Sequence, residues 1–182
     1  QAQHELAEYI RALESKQHFK VYTVVDRWGV PDSIRATLKG LHARPHEAII
    51  GAVFIGDIPI PMIRDAQHLC SAFKMSQKMP WQESSVPSDR YYDDFSLQFD
   101  FLKRDSTAPY YYYSLSARGN QQVHPDLFSG RIRPTDGDIP GSRYTKLKAY
   151  LQKATEAKLH PERMMSVFVY TGSGSLSESK TA

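Results

Sequence analysis

Cysteine is almost missing from this chain. Its 182 residues include only Cys70, so no intramolecular disulfide can form and no cysteine-based metal site exists. Long apolar runs are missing as well. None reaches the ~20 residues that cross a bilayer as a helix, so no membrane span is expected. Strong charge of either sign is also absent. Lys and Arg total 23 against 20 Asp and Glu, a formal net charge of +3. The basic residues are scattered, which excludes the dense basic face of a nucleic-acid binder. The chain opens at Gln1 without Met, and no charged-then-apolar leader follows. The expectation is a processed or trimmed product, a piece of a longer chain. No internal repeat or low-complexity tract occurs.

What remains is globular in character. Hydrophobic residues make up 41% and charged residues 24%, enough for one α/β domain over residues 1–182. The stretch that organises it is Ala48-Ile49-Ile50-Gly51-Ala52-Val53-Phe54-Ile55-Gly56-Asp57-Ile58-Pro59-Ile60-Pro61. Its apolar, β-branched run reads as a strand buried on both faces. The break at Gly56-Asp57 then falls at the strand's carboxyl end, where open α/β sheets place ligand crevices.

Around it, Leu6, Tyr9, Ile10 and Leu13 have helical spacing over residues 2–16. Residues 19–25 are β-branched and predict a strand. Asp32 or Ser33 would cap a helix carrying Ile34, Leu38 and Leu41. Residues 64–87 lose the pattern and read as a short helix and a long loop. A hairpin is expected around 96–117, with Tyr110 to Tyr113 on a strand because tyrosine rings pack well on a pleated surface. A short strand follows within 125–134, then a helix over 140–158 with Tyr144, Leu147, Tyr150, Leu151 and Ala154 on one side. An apolar strand over 164–171 comes next, and a flexible tail over 172–182. The predicted fold class is α/β, a mostly parallel sheet flanked by helices with the hairpin inserted.

Candidate binding residues are Asp57, Asp89, Tyr91, Asp93 and Asp94. Asp57 could hold a ligand, although aspartates after a strand more often cap backbone N–H groups in a turn. Asp89, Asp93 and Asp94 could bind Ca²⁺ through carboxylate oxygens, but their spacing does not match a helix-loop-helix calcium loop. Asp136-Gly137-Asp138 reads as a solvated turn. The tyrosines could stack a peptide or sugar, although core packing is the commoner use. Gly172-Ser173-Gly174-Ser175 lacks the Lys-Ser/Thr of a nucleotide loop and is not a Gly-x-Ser-x-Gly elbow. His68 and Cys70 stand two apart, a spacing that points them in different directions on a helix and makes no dyad. The remaining histidines show no metal-ligand spacing.

Three segments together resemble gingipain-like cysteine peptidases. Val53-Phe54-Ile55-Gly56-Asp57-Ile58-Pro59-Ile60-Pro61 resembles their strand followed by Gly-Asp and Pro. Ser88-Asp89-Arg90-Tyr91-Tyr92 resembles their Ser-Asp-x-Tyr-Tyr segment. Pro125-Asp126-Leu127 through Gly130-Arg131-Ile132 resembles their Pro-Asp to Gly-Arg-(Ile/Phe)-Pro segment, followed here by a helix with Lys146, Lys148 and Tyr150. The resemblance implies a caspase-like fold, an extracellular or cell-surface setting, and proteolysis through a His–Cys dyad.

In that family the catalytic histidine occupies a Gly-His-Gly loop. Here the corresponding loop holds Ser173, and Cys70 does not align with the nucleophile, so no catalytic residue carries over. A serine cannot shuttle a proton near neutral pH as imidazole does. The expectation is a non-catalytic part of such a peptidase, partnered by a peptide or protein substrate or by a downstream catalytic domain of the same polypeptide. The alternative is a stand-alone peptide- or protein-binding module of the same fold. An unrelated thiol enzyme built on Cys70 is the weakest reading.

Overall fold

The computed structural model describes residues 2–66 and 76–161. In chain order the elements are α1 (Gln3–Gln17), α2 (Pro31–His42), β1 (Gly51–Ile55), β2 (Ile60–Arg64), β3 (Val86–Pro87), α3 (Arg90–Asp93), β4 (Phe99–Arg104), β5 (Tyr110–Leu115), β6 (Phe128–Ile132) and α4 (Arg143–Leu159). The fold is mixed α/β. Two compact units share the chain: Gln1–Thr23 with Thr135–Ala182, and Val24–Pro134. No helix among the described residues is long and apolar enough to cross a membrane.

In the first unit, α1 and α4 pack against one another. Of the predicted α1 stripe, Tyr9 is buried and Leu6, Ile10 and Leu13 are partly buried, with Ala12 buried beside them; on α4, Leu147 and Leu151 are buried. Tyr144 and Tyr150, expected on the same inner side of α4, are about half exposed. The Asp136 turn has a definite task. Its carboxylate accepts the Arg143 N–H at 2.9 Å, and its carbonyl accepts Ser142 Oγ at 2.6 Å and Lys146 Nζ at 2.7 Å. That satisfies a backbone donor left open at the helix start. The expected strand over 19–25 does not form. No described strand pairs with it, and Val24 and Val25 stand exposed. β-branched character alone does not make a strand without a neighbour.

All the described strands lie in the second unit. β1 pairs in parallel with β6. A four-stranded sheet has the order β3-β2-β5-β4, with β2 and β5 parallel and both outer strands antiparallel to their neighbours. The predicted hairpin is β4 and β5, closed by Asp105, whose carboxylate accepts the Thr107 N–H, the Thr107 hydroxyl and the Ala108 N–H. Those bonds hold that carboxyl below the usual carboxylate range. β5 lies inside the sheet, between β2 and β4, rather than on an inserted flap. Its tyrosines alternate as a pleat requires. Tyr111 and Tyr113 join Ile34, Leu38, Phe54, Ile63 and Leu97 on one face; Tyr112 joins Ile60 and Met62 on the other.

The strand buried on both faces is not β1 but β2, in which Ile60 to Ile63 are all buried. β1 alternates. Ala52 and Phe54 pair with Ser129 and Arg131 on the inner side, while Val53 and Phe128 are exposed on the other. Between β1 and β2 the chain changes partner within four residues. Gly56, at φ +95°, donates its N–H to Ile132 O at 2.9 Å, and Ile60 donates to Pro109 O at 2.9 Å. Pro61 is tolerated in β2 because its carbonyl faces β3, where it accepts the Ser88 N–H at 3.0 Å. The N–H that proline lacks would point to that same side, so the β2–β5 ladder loses nothing.

At the start of α2 the expected cap is absent. Val30 occupies the N-cap, Pro31 the first turn, and no side chain caps the helix. Asp32 is used elsewhere. It accepts the Tyr91 hydroxyl at 3.0 Å and the Tyr113 hydroxyl at 2.8 Å.

Candidate functional site

The alternation of β6 turns Ser129 and Arg131 inward, and the Gly56–Pro59 link brings the Ile58 and Pro59 carbonyls to Arg131. Arg131 holds four bonds from there. Nε and Nη2 reach the two oxygens of Asp89 at 3.1 and 2.7 Å. Nη1 donates to Ile58 O at 2.8 Å and Nη2 to Pro59 O at 3.3 Å. The guanidinium also lies 5.4 Å from the centre of the Phe54 ring. Two parallel N–H···O bonds to one carboxylate are the geometry arginine is built for, and a lysine cannot supply them. Tyr92, fully buried, adds its hydroxyl to Pro59 O at 2.8 Å.

Asp89 anchors one side of this clamp with its carboxylate while its carbonyl starts α3, accepting the Tyr92 and Asp93 N–H groups at 2.8 and 3.1 Å. Asp93 is buried, takes the Ser129 hydroxyl, and is paired with Arg90 at 2.9 Å. Burial raises its pKa above the ordinary carboxylate value, against the pull of Ser129 and Arg90. Its carbonyl accepts the Asp126 and Leu127 N–H groups at 2.8 and 3.1 Å. Asp94, also buried, accepts the Ser96 N–H, the Ser96 hydroxyl and the His124 N–H. Asp126 closes the circuit by accepting the Phe95 N–H at 2.6 Å. Three stretches far apart in sequence, 53–61, 88–94 and 125–132, thus meet in one polar network.

The predicted site residues divide accordingly. Asp89 and Asp93 belong to that network, and Asp94 extends it. Each of the three carboxylates engages its own partners, and among the described residues no group of three or more His, Cys, Asp or Glu side chains gathers to hold a metal ion. Asp57 is exposed on the Gly56–Pro59 link. Tyr91 is a core residue, 4.4 Å from Tyr113 between ring centres and under the Arg35 guanidinium at 5.1 Å. Arg35 itself donates to the carbonyls of Tyr91 and Leu97. His68, Cys70 and the Gly172–Gly174 loop lie outside the described residues, as does the strand expected over 164–171.

Sequence reasoning passed over Asp32, Arg35 and Arg131 as organising residues. For Arg131 a signal existed: in Phe128-Ser129-Gly130-Arg131-Ile132, period two puts Ser129 and Arg131 on one face. A strand pairing that face inward would need carboxylates or carbonyls opposite it.

The buried phenols give a pH expectation. Burial, first among the causes, pushes the Tyr91 hydroxyl from its ordinary 10.0 up to about 12. Burial likewise raises Tyr92 and Tyr113. A raised acid keeps its proton in the folded state after the unfolded chain has ionised. The stability it contributes is complete below pH 10 and is lost as pH rises towards 12. Circular dichroism alongside tyrosinate absorbance should show unfolding and phenol ionisation together in that window, and Tyr91→Phe should weaken the pH dependence. Ionisation complete by pH 10.5 with the fold intact would contradict the burial.

Comparison with protein-family models, with curated proteins and with solved structures finds no match to this chain.

Proposed function

We propose that this chain is a non-catalytic part of a gingipain-like, secreted cysteine peptidase, with a caspase-like fold and its His–Cys dyad elsewhere in the polypeptide. In this reading it is a scaffold that holds the Gly56–Pro59 link at the end of β1 in a fixed shape beside a bound peptide. One observation supports it above the others. The three segments that carry the resemblance meet through Arg131, Asp89, Asp93 and the Ile58 and Pro59 carbonyls. That shared network is what supports reading the three segments as one frame. Peptide-bond cleavage by this chemistry needs an activated thiolate and an imidazole to move the proton.

The test uses the chain as it stands and the full polypeptide of its open reading frame; a frame that encodes no Gly-His-Gly loop and later cysteine would overturn the proposal. Fluorogenic peptides should not be hydrolysed by the chain alone, with or without reductant. The longer polypeptide should hydrolyse them and lose that activity to a thiol-directed peptide inhibitor. Turnover by the chain alone that disappears in Cys70→Ala would overturn the proposal. Peptide binding by a longer polypeptide that never turns over would favour a binding module instead.

A further inference from the structure

We draw no further inference here: the strongest candidate, the apolar outer face of the β1–β6 pair on which Val53 and Phe128 stand exposed, carries nothing because nothing in the structure shows what covers it.

Discussion

Arg131→Ala is expected to destabilise the second unit by about 3 kcal/mol, read from urea or guanidinium unfolding. The side chains of Arg131 and Asp89 are only 17% and 24% exposed. Removing one partner of a buried pair leaves the other charge without compensation, a loss of roughly 3–5 kcal/mol when burial is complete. The residual exposure screens part of that, which sets the lower end. The Ile58 and Pro59 carbonyls lose charged donors at the same time, and hydrogen bonds to charged groups are worth about 1.5–3 kcal/mol each. These contributions overlap and do not sum. Arg131→Lys should recover less than half of the loss, because one ammonium cannot fork to a carboxylate and also reach two carbonyls. Full recovery by lysine would mean that charge alone matters and that the forked geometry of the guanidinium does not.

The second large effect is expected at Asp32. Asp32→Ala should cost about 2–4 kcal/mol by the same unfolding measurement. It removes the acceptor of two tyrosine hydroxyls, those of Tyr91 and Tyr113, residues only 3% and 1% exposed. Each buried donor left unmade costs about 1–3 kcal/mol. Asp32→Asn should lose less than half as much. Its carbonyl oxygen still accepts one hydroxyl, and its amide can donate to the other, which turns to accept. Removing donors and acceptor together should also be mild. A Tyr91→Phe, Tyr113→Phe, Asp32→Ala triple variant is expected to be more stable than Asp32→Ala alone. If Asp32→Ala unfolds at the same denaturant concentration as the parent, the residue is an ordinary first-turn aspartate, as its sequence position first implies.

Those two residues mark how far the sequence could be read. Local periodicity located α1, α2 and α4, because each needs only its own stripe of apolar residues. The Tyr110 to Tyr113 run is legible as a strand because tyrosine rings pack well on a pleated surface, and a short strand is legible within 125–134, where β6 runs from Phe128 to Ile132. Two strand readings went astray through partners. Residues 19–25 look like a strand but have no described neighbour, whereas residues 60–64, which follow the break at Gly56-Asp57 and carry Pro61, form the core strand β2. The reason is geometric: the N–H that Pro61 lacks faces the short β3, not the β5 ladder. A sequence shows that a proline removes a donor but not which side of the strand that donor would have faced.

The network is harder still to foresee. Arg131 and Asp89 lie 42 residues apart, Tyr91 and Asp32 59 apart, and Tyr113 and Asp32 81 apart. No local rule couples such positions. Asp32 looked like a cap because an aspartate beside a proline at a helix start has the right chemistry for one. Tertiary demand from two buried phenols took it instead. In the sequence Asp89 and Asp93 read as possible ligands for a cation; in the structure each has a cation from the protein, Arg131 and Arg90 respectively.

Arg131 and Asp89 act as one clamp if the loss of either side chain makes the other's loss cost less. A double-mutant cycle on Arg131→Ala and Asp89→Ala, followed by chemical denaturation, measures that coupling apart from the other losses each change causes. The predicted coupling is at least about 1 kcal/mol, with the double variant more stable than the two single losses would sum to. Losses that add to within about 0.5 kcal/mol would show two independent side chains and would contradict the clamp.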